Sequence, residues 1–434
     1  MCSFFTTVAS LSQPSASELL IRADVSALLE AMDGVPDPRD PRGVRYPLAI
    51  VLGLGVFAAC CGAETFDETG EIVADLDHEI LAGFGLVRAA PSSATFRRVL
   101  NTVDPDCLDE ALCVWASGVA IRQDDVPPEP ATTLEPAPKT GTIPESQPAT
   151  AQESKPAHTP PEPGRVISID GKTLKAARSF DAGGAMSQVA VLEALDHATG
   201  AVLAQEQINA GDENAAGIQI VKRLAKRFGS LDGITIVADA KHTTRELASV
   251  VTTLGGDWVF TVKGNAPTAQ SAAASLPWAG IPIADVTRGK AHGRKETRTL
   301  RLTQIPDHID LTLAGATQAG LVRRTTWRKK TVTSAYAWTH ETVLIATSLS
   351  TEQASPKRLA DILRDHWRVE ALHWVRDVVF HEDHHSAHTG HGPRNMAALR
   401  NTAITRHRLH GATRLAPTLR AANRHPHRAL AAIA

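Results

Sequence analysis

The sequence has few cysteines, and none of them follows a metal-binding pattern. All five lie within the first 113 of 434 residues, without the spacing of a paired metal site. Cys60 and Cys61 are adjacent inside an apolar run, so we expect reduced, buried thiols that behave as small hydrophobic side chains. This pattern argues against a disulfide-stabilised secreted protein and is typical of the cytoplasm.

Long hydrophobic runs are also absent. The longest uncharged apolar stretch, residues 48–63, contains three glycines and is shorter than the ~20 residues that a membrane-spanning helix needs. We therefore expect a buried core helix here and no membrane partner. No basic flank precedes an apolar segment near the first residue, so no signal peptide is expected.

Two common catalytic motifs are missing from the sequence, and acidic residues are missing after Asp383. There is no glycine-rich phosphate loop of the Walker type and no Gly-x-Ser-x-Gly elbow, which argues against ATP-driven motors and serine hydrolases. The net charge is −2, but no acidic residue follows Asp383, whereas eight arginines do. An unopposed basic segment suits phosphate contact, because neutralised phosphates release counterions. A solvated, partly disordered tail is the alternative.

The chain divides by composition and periodicity. Residues 18–122 are predicted to be helical, and 123–164 are rich in Pro, Thr, Glu, Ala and Ser without periodicity, as in a disordered linker. The predicted strands that follow are 165–170, a hairpin at 187–208 turning at 196–200, 234–239 and 257–262, with helices at 213–228 and 243–254. This order predicts an α/β fold, a ribonuclease-H-like mixed sheet flanked by helices. Residues 165–405 would form this domain, with a β-rich insertion at about 285–350, and 406–434 would form a basic tail.

Three carboxylates carry the functional prediction. Asp170 and Asp239 each end an apolar run, where a strand gives way to a polar segment, and Glu370 lies on a predicted helix. Ligands bind at the carboxyl edge of strands in open α/β sheets. Mg²⁺ prefers oxygen ligands, and two such ions ~3.5–4 Å apart hold the attacking and leaving oxygens of a phosphoryl displacement. The three acids therefore predict phosphodiester chemistry on a nucleic acid.

Each acid also has an ordinary explanation. An aspartate at a strand end often caps a helix or forms a turn, although the following pairs 171–172 and 241–242 favour a site. Glu370 shares a helix face with Leu363, Trp367 and Trp374, and a carboxylate inside such a stripe is costly to desolvate unless it is paired or bound to metal. A salt bridge to Arg364 or Arg368 is the alternative.

Basic and histidine-rich clusters complete the candidates. Lys263 follows a predicted strand near the acids and could reach a phosphate. Residues 322–330 place Trp327 among five cations, a pattern suited to backbone contact and base stacking or, alternatively, to an exposed hairpin whose Trp packs underneath. The histidines between 381 and 391 have no cysteine partners, which disfavours zinc.

Taken together, the motifs resemble the DDE transposases of bacterial insertion sequences, specifically the ISAs-type group. The stretches that carry the resemblance are 35–39, 91–100, 169–174, 238–243, 261–265, 292–296 and 366–383. The resemblance implies a ribonuclease-H-like catalytic domain preceded by a transposase-associated helical region. It also implies Asp170, Asp239 and Glu370 as the catalytic and metal-binding triad, with two Mg²⁺ ions that Mn²⁺ can replace.

The implied partners are double-stranded DNA, as transposon inverted-repeat ends and as target, and a second copy in a DNA-assembled homodimer. The protein would act in the bacterial cytoplasm, associated with the nucleoid. The residues predicted to bind DNA are Lys172, Lys241, His242, Lys263, Arg294, Arg323, Arg324 and Arg328. Two other functions remain open. They are a metal-dependent nuclease without strand transfer and a catalytically silent DNA-binding protein, the latter because the segment after Glu370 is one residue shorter than the group pattern Glu-Asn-x-Leu-His-Trp.

Overall fold

The N-terminal region is built around a helix that is apolar on every side. The computed structural model describes residues 16–86, 89–123, 164–180, 186–209, 211–291, 294–329, 335–384 and 389–434, so all but the two ends of the predicted linker lie outside the described residues. The six helices of this region are α1 (Ala16–Asp33), α2 (Leu48–Cys60), α3 (Phe66–Ala74), α4 (His78–Gly83), α5 (Ser93–Thr102) and α6 (Pro105–Gln123). Twelve of the thirteen residues of α2 are buried, as expected of a helix with no polar face. No helix among the described residues is long and apolar enough to span a membrane.

The rest of the chain forms one mixed sheet and its covering helices. The strands are β1 (Arg165–Phe180), β2 (Met186–Asp196), β3 (Val202–Ile208), β4 (Ile234–Ala238), β5 (Asp257–Val262), β6 (Ile283–Ala291), β7 (Arg294–Gln304), β8 (Gln318–Lys329) and β9 (Tyr336–Thr347). The helices are α7 (Glu213–Phe228), α8 (Arg245–Thr253), α9 (Pro267–Ala274), α10 (Pro356–Asp365), α11 (Trp367–Val379), α12 (Gly392–Leu409), α13 (Leu415–Arg424) and α14 (His427–Ile433).

The strand order is β3-β2-β1-β4-β5-β9-β8-β7-β6. Strands β1 to β3 are antiparallel neighbours, whereas β4 and β5 run parallel to β1. Three antiparallel strands followed by two parallel ones form the predicted ribonuclease-H-like sheet. The hairpin prediction is confirmed, with Gly200 at φ +70° in its turn.

The prediction that β1 ends at residue 170 is wrong. The strand continues to Phe180, because it stays paired with β2 after its pairing with β4 has stopped. The β-rich stretch consists of β6 to β9, which are antiparallel and join the sheet where β9 pairs with β5. This stretch therefore extends the ribonuclease-H-like sheet itself.

The C-terminal helices return to the N-terminal ones. Leu419, Leu430 and Ile433 are buried in the same core cluster as the apolar residues of α1 and α2. Within the predicted basic tail, Arg406 is buried, and its Nε donates to the carbonyl of Ala432 at 2.6 Å. Part of the arginine-rich segment is thus used inside the protein, and the segment forms ordered helices.

Candidate active site

Two aspartates meet at the point where parallel pairing in the sheet stops. The last paired residues of β1 and β4 are Ile169 and Ala238, so Asp170 and Asp239 follow them on adjacent strands. Asp170 Oδ1 accepts from the backbone N–H of Gly171 at 2.9 Å. Asp239 caps a short 3₁₀ turn, because its Oδ1 accepts from the backbone N–H of Lys241 at 3.0 Å.

A third side chain joins this pair. Carboxylate oxygens of Asp170 and Asp239 and a ring nitrogen of His242 all lie within 4.8 Å of one another. Burial raises the pKa of the Asp170 carboxyl, the nearby His373 opposes this shift, and the negative charge of Asp239 raises the pKa further. A bound cation would relieve the repulsion between the two carboxylates. The donor set therefore fits a divalent cation.

Glu370 lines the same cavity, which has a volume of about 330 Å³, but it is not part of the 4.8 Å cluster. The prediction that Glu370 sits in a buried Leu/Trp stripe is wrong. Glu370 is exposed, and Trp367 and Trp374 on its helix face are 44% and 59% exposed. The buried face of α11 carries Val369, Leu372 and Arg376 instead.

The alternative explanation for Glu370, a salt bridge, also lacks support. Arg364 pairs with Asp361 at 2.8 Å, and Arg368 lies 3.7 Å from Asp365. Among the residues that the structure describes, Glu370 has no ion-pair partner. Its carboxylate is therefore open to the cavity.

The walls of the cavity come from the extended sheet and from α10 and α11, and they carry four cations together with the further acids Asp285 and Glu341. The cations that line it are Lys263, Arg298, Arg324 and Arg364. The guanidinium carbons of Arg324 and Arg298 lie 4.9 and 5.9 Å from the centre of the Trp367 ring. Arg324 also pairs with Glu296 at 2.7 Å, which fixes its position. The cations of this lining are suited to contact with a phosphate backbone.

A serine between two histidines lies beside the aspartates. Ser168 Oγ is 2.6 Å from His197 Nε2 and 2.9 Å from His366 Nδ1. Burial lowers the pKa of His197 to about 3 and that of His366 to about 4. Both rings are therefore neutral near pH 7, and His366 lines the cavity as an uncharged group.

Comparison with known proteins identifies the family of this chain. The Transposase DDE domain family matches residues 161–406, more than half of the chain, and the DDE_Tnp_1-associated family matches residues 29–116. The chain belongs to the DDE transposases. This confirms the predicted family, including its associated helical region, and supports a transposase function, a DNA partner and the use of a divalent metal.

Three Escherichia coli proteins are similar to this DDE transposase along most of their length. "Putative protein YbfL" of strain K12 is 24% identical over 88% of this chain and 90% of its own. "Putative transposase YncI" of strain O157:H7 is 23% identical over 88% and 87%, and "H repeat-associated putative transposase YhhI" of strain K12 is 23% identical over 88% and 90%. A solved structure of the piggyBac transposase in a synaptic complex with hairpin DNA matches with a TM-score of 0.37 and 12% identity, over 94% of this chain and 79% of that one. That likeness is too weak to establish a shared fold.

The residues predicted to bind DNA lie in different surroundings. Lys172 is 5% exposed, and its ammonium group pairs with Asp377, which argues against direct DNA contact. His242 is buried, with Nε2 3.6 Å from Glu213 Oε2, so it belongs to the acidic cluster. Lys241 is exposed and lies 3.5 Å from Glu213 Oε1, and Lys263 is exposed at the cavity.

The remaining predicted DNA contacts are on the extended sheet. Arg323 and Arg328 are exposed on β8 and Arg324 lines the cavity, whereas the side chain of Arg294 lies outside the described residues. Trp327 pairs across the strands with Trp338, at 5.2 Å between ring centres, and stacks on Tyr336. Trp327 therefore packs within an aromatic cluster, as in the hairpin alternative.

The histidines between 381 and 391 are only partly described, because 385–388 lie outside the described residues. His381 Nδ1 lies 2.8 Å from Glu64 Oε2. No cluster suited to a metal includes any of these histidines among the described residues.

The sequence reasoning missed Glu193 and His373. His373 lies 3.7 Å from Asp170 and 3.1 Å from Glu193. A signal for His373 was available, because it follows Glu370 by three residues and so lies on the same side of α11. Glu193 gave no such signal, because it is one polar residue in a predicted hairpin strand.

Proposed function

We propose that this protein is a DNA transposase that hydrolyses phosphodiester bonds at transposon ends and transfers the freed strands into target DNA. One observation carries the proposal. In a member of the DDE transposases, Asp170 and Asp239 are juxtaposed by parallel strands, and Glu370 faces them from the wall of the same cavity.

Asp170, Asp239 and Glu370 would hold two Mg²⁺ ions, which Mn²⁺ can replace. When bound, such ions lower the pKa of water and stabilise charge on the attacking and leaving oxygens. The Glu370 carboxylate is available for this role because it has no ion-pair partner among the described residues. Ser168 keeps the ring of His366 oriented at the cavity edge.

The protein's cations bind and orient the DNA. Lys263, Arg298, Arg324 and Arg364 surround the acids and would offset the negative charge of the phosphates. Arg328 continues this basic surface along β8 on the face of Arg324, so that a duplex would run from the cavity across the extended sheet, whereas Arg323 projects from the opposite face. Two transposon ends need two active sites, and we propose a DNA-assembled homodimer acting at the bacterial nucleoid.

We propose the domain division that the sequence predicts. Residues 18–122 would form the transposase-associated domain and 165–405 the catalytic domain, joined by the linker at 123–164 and followed by the basic segment 406–434. Family matches at 29–116 and 161–406 support the two folded units.

A strand-transfer assay tests the function. The full chain is incubated with Mg²⁺ and a labelled duplex of the DNA that flanks its gene, uncut or pre-cut, together with a supercoiled target plasmid. We expect cleavage of the uncut end and joining of the pre-cut end. Cleavage without joining would identify a nuclease, and the absence of both with retained DNA binding would identify a catalytically silent protein.

A further inference from the structure

The Asp170 carboxylate faces a second carboxylate across the sheet. Asp170 on β1 is directly opposite Glu193 on β2, so both side chains leave the sheet on the same face. Like charges in directly opposed positions destabilise a strand pair. Glu193 is also fully buried, which makes an uncompensated pair costly. Something must therefore separate and hold these two groups.

The ring of His373 lies between them. Its Nε2 is 3.1 Å from Glu193 Oε2, and its Nδ1 is 3.7 Å from Asp170 Oδ2. An ionised carboxylate can only accept hydrogen bonds, so Nε2 carries the hydrogen and donates it to Glu193. The other ring nitrogen, Nδ1, faces Asp170. The 3.7 Å separation is too long for a hydrogen bond, which leaves Oδ2 free.

Glu193 is itself held from two helices. Its Oε1 accepts from Arg376 of α11 and, at 2.8 Å, from Asn401 of α12. Arg376 Nε also donates a hydrogen bond to Glu382 Oε2 at 2.8 Å, and Asn401 Nδ2 donates one to Gln205 Oε1 at 2.9 Å. Glu193 is therefore a fixed anchor, and α11, which carries Glu370, is tied to the strand beside Asp170.

We propose that Glu193 and His373 are positioning residues: Glu193 holds the imidazole beside Asp170, where it leaves the Oδ2 atom of the Asp170 carboxylate free of competing hydrogen bonds for a divalent cation. Glu193 acts through the imidazole and does not touch the cation. The inference rests on the proposed function, because it assumes that Asp170 is a metal ligand. It concerns a side chain that the triad alone does not require, and outer partners that orient metal ligands commonly contribute 10- to 100-fold to affinity.

The test is Mn²⁺ binding by the full-length protein, measured from the loss of the free-ion electron paramagnetic resonance signal. In Glu193→Gln a neutral amide replaces the carboxylate that accepts from Nε2, so the imidazole loses its anionic anchor beside Asp170. We expect Mn²⁺ affinity to fall on the order of tenfold. Glu193→Asp keeps an anionic acceptor and should retain most of the affinity.

Asp109→Asn is the matched control. Asp109 is equally buried and pairs with Arg223 at 3.0 Å, but it lies on α6, outside the cavity lining. This substitution should lower the melting temperature and leave Mn²⁺ affinity unchanged. If Glu193 had a purely structural role, Glu193→Gln would likewise lower the melting temperature and leave Mn²⁺ affinity unchanged.

The outcomes separate this inference from the proposed function. If the wild type binds no Mn²⁺, or Asp170→Asn binds it as the wild type does, the proposed metal site fails. If Asp170→Asn abolishes binding while Glu193→Gln binds as the wild type does, the positioning role is overturned. If Glu193→Gln does not fold, His373→Gln, at a partly exposed position, provides the test. We expect it to lower Mn²⁺ affinity by a similar factor. Unchanged Mn²⁺ affinity in this variant would count against the inference.

Discussion

Asp170 and Asp239 are neighbours because each directly follows the last pair of residues, Ile169 and Ala238, that joins the parallel strands β1 and β4. Adjacent strands are ~4.8 Å apart, so the register of β1 and β4 sets the distance between the two carboxylates. The backbone thus places the two acids, while burial raises the pKa of Asp170. The carboxylates of Asp170 and Asp239 repel each other, and a bound cation would relieve this repulsion.

Replacing Asp170 tests this arrangement. We expect Asp170→Asn to reduce the rate of metal-dependent cleavage at least about a thousandfold. Without this ligand the metal would no longer stabilise the charge that develops in the transition state, and a loss of about 4 kcal/mol slows a reaction by that factor. Binding to end DNA, measured by gel mobility shift, should remain. The same change should raise the free energy of unfolding of the metal-free protein, because it removes a buried repulsive charge. Equal loss of cleavage and binding would contradict a catalytic role.

Two lysines should differ in their effect on DNA binding. Lys263 is exposed at the cavity, so Lys263→Ala should reduce the slope of log affinity against log salt by about one. Lys172 is buried against Asp377, so Lys172→Met should lower the melting temperature and leave the slope unchanged. Fluorescence anisotropy at several salt concentrations measures both. If folded Lys172→Met showed a reduced slope of log affinity against log salt, Lys172 would contact DNA after all.

Acid should destabilise the protein through His197. The pKa of this ring is about 3 in the folded chain, compared with an ordinary value of 6.5. Below about pH 6.5 the unfolded chain binds a proton that the folded chain refuses until near pH 3, so stability falls as the pH decreases through this interval. At pH 5 this amounts to about 2 kcal/mol. Urea unfolding at pH 7.5 and pH 5 should show a smaller pH-dependent loss of stability for His197→Gln than for the wild type.

Arg376 should be essential for stability. It is fully buried between Glu193 and Glu382, so Arg376→Met leaves two buried carboxylates with less compensation and should cost about 3–5 kcal/mol. Arg97 pairs with Asp67 at 2.8 Å on the surface, where Arg97→Met should cost at most about 1 kcal/mol. Chemical denaturation compares the two. Similar costs would mean that the buried network is not a stabilising unit.

Much of the sheet could be predicted from local patterns. Strand β5 and helix α7 have the predicted bounds, and β4 ends one residue early, because apolar runs and helical spacing in these elements reflect local burial. The end of β1 could not be predicted in this way. The residues after Asp170 are largely polar, and they remain in the strand only because β2 pairs with them.

The surroundings of Glu370 show a second limit. Helical spacing reveals which residues share a face but not which face points inward. The face with Trp367 and Trp374 resembled a core stripe, yet it is exposed, and the buried face contains the charged Arg376. Arg376 is compensated by Glu382, six residues further on, and by Glu193, which is distant in sequence. Such compensation depends on tertiary contacts, which single-chain periodicity does not contain.

The shared core of α1, α2 and α14 has a consequence for biosynthesis. Ile21 belongs to the same apolar cluster as Leu430 and Ile433, although more than four hundred positions separate them. A nascent polypeptide cannot finish packing its first helices until these late residues have left the ribosome. Until then the incomplete cluster stays open to solvent and to chaperones, so a native molecule can exist only after residue 433 has emerged from the ribosome.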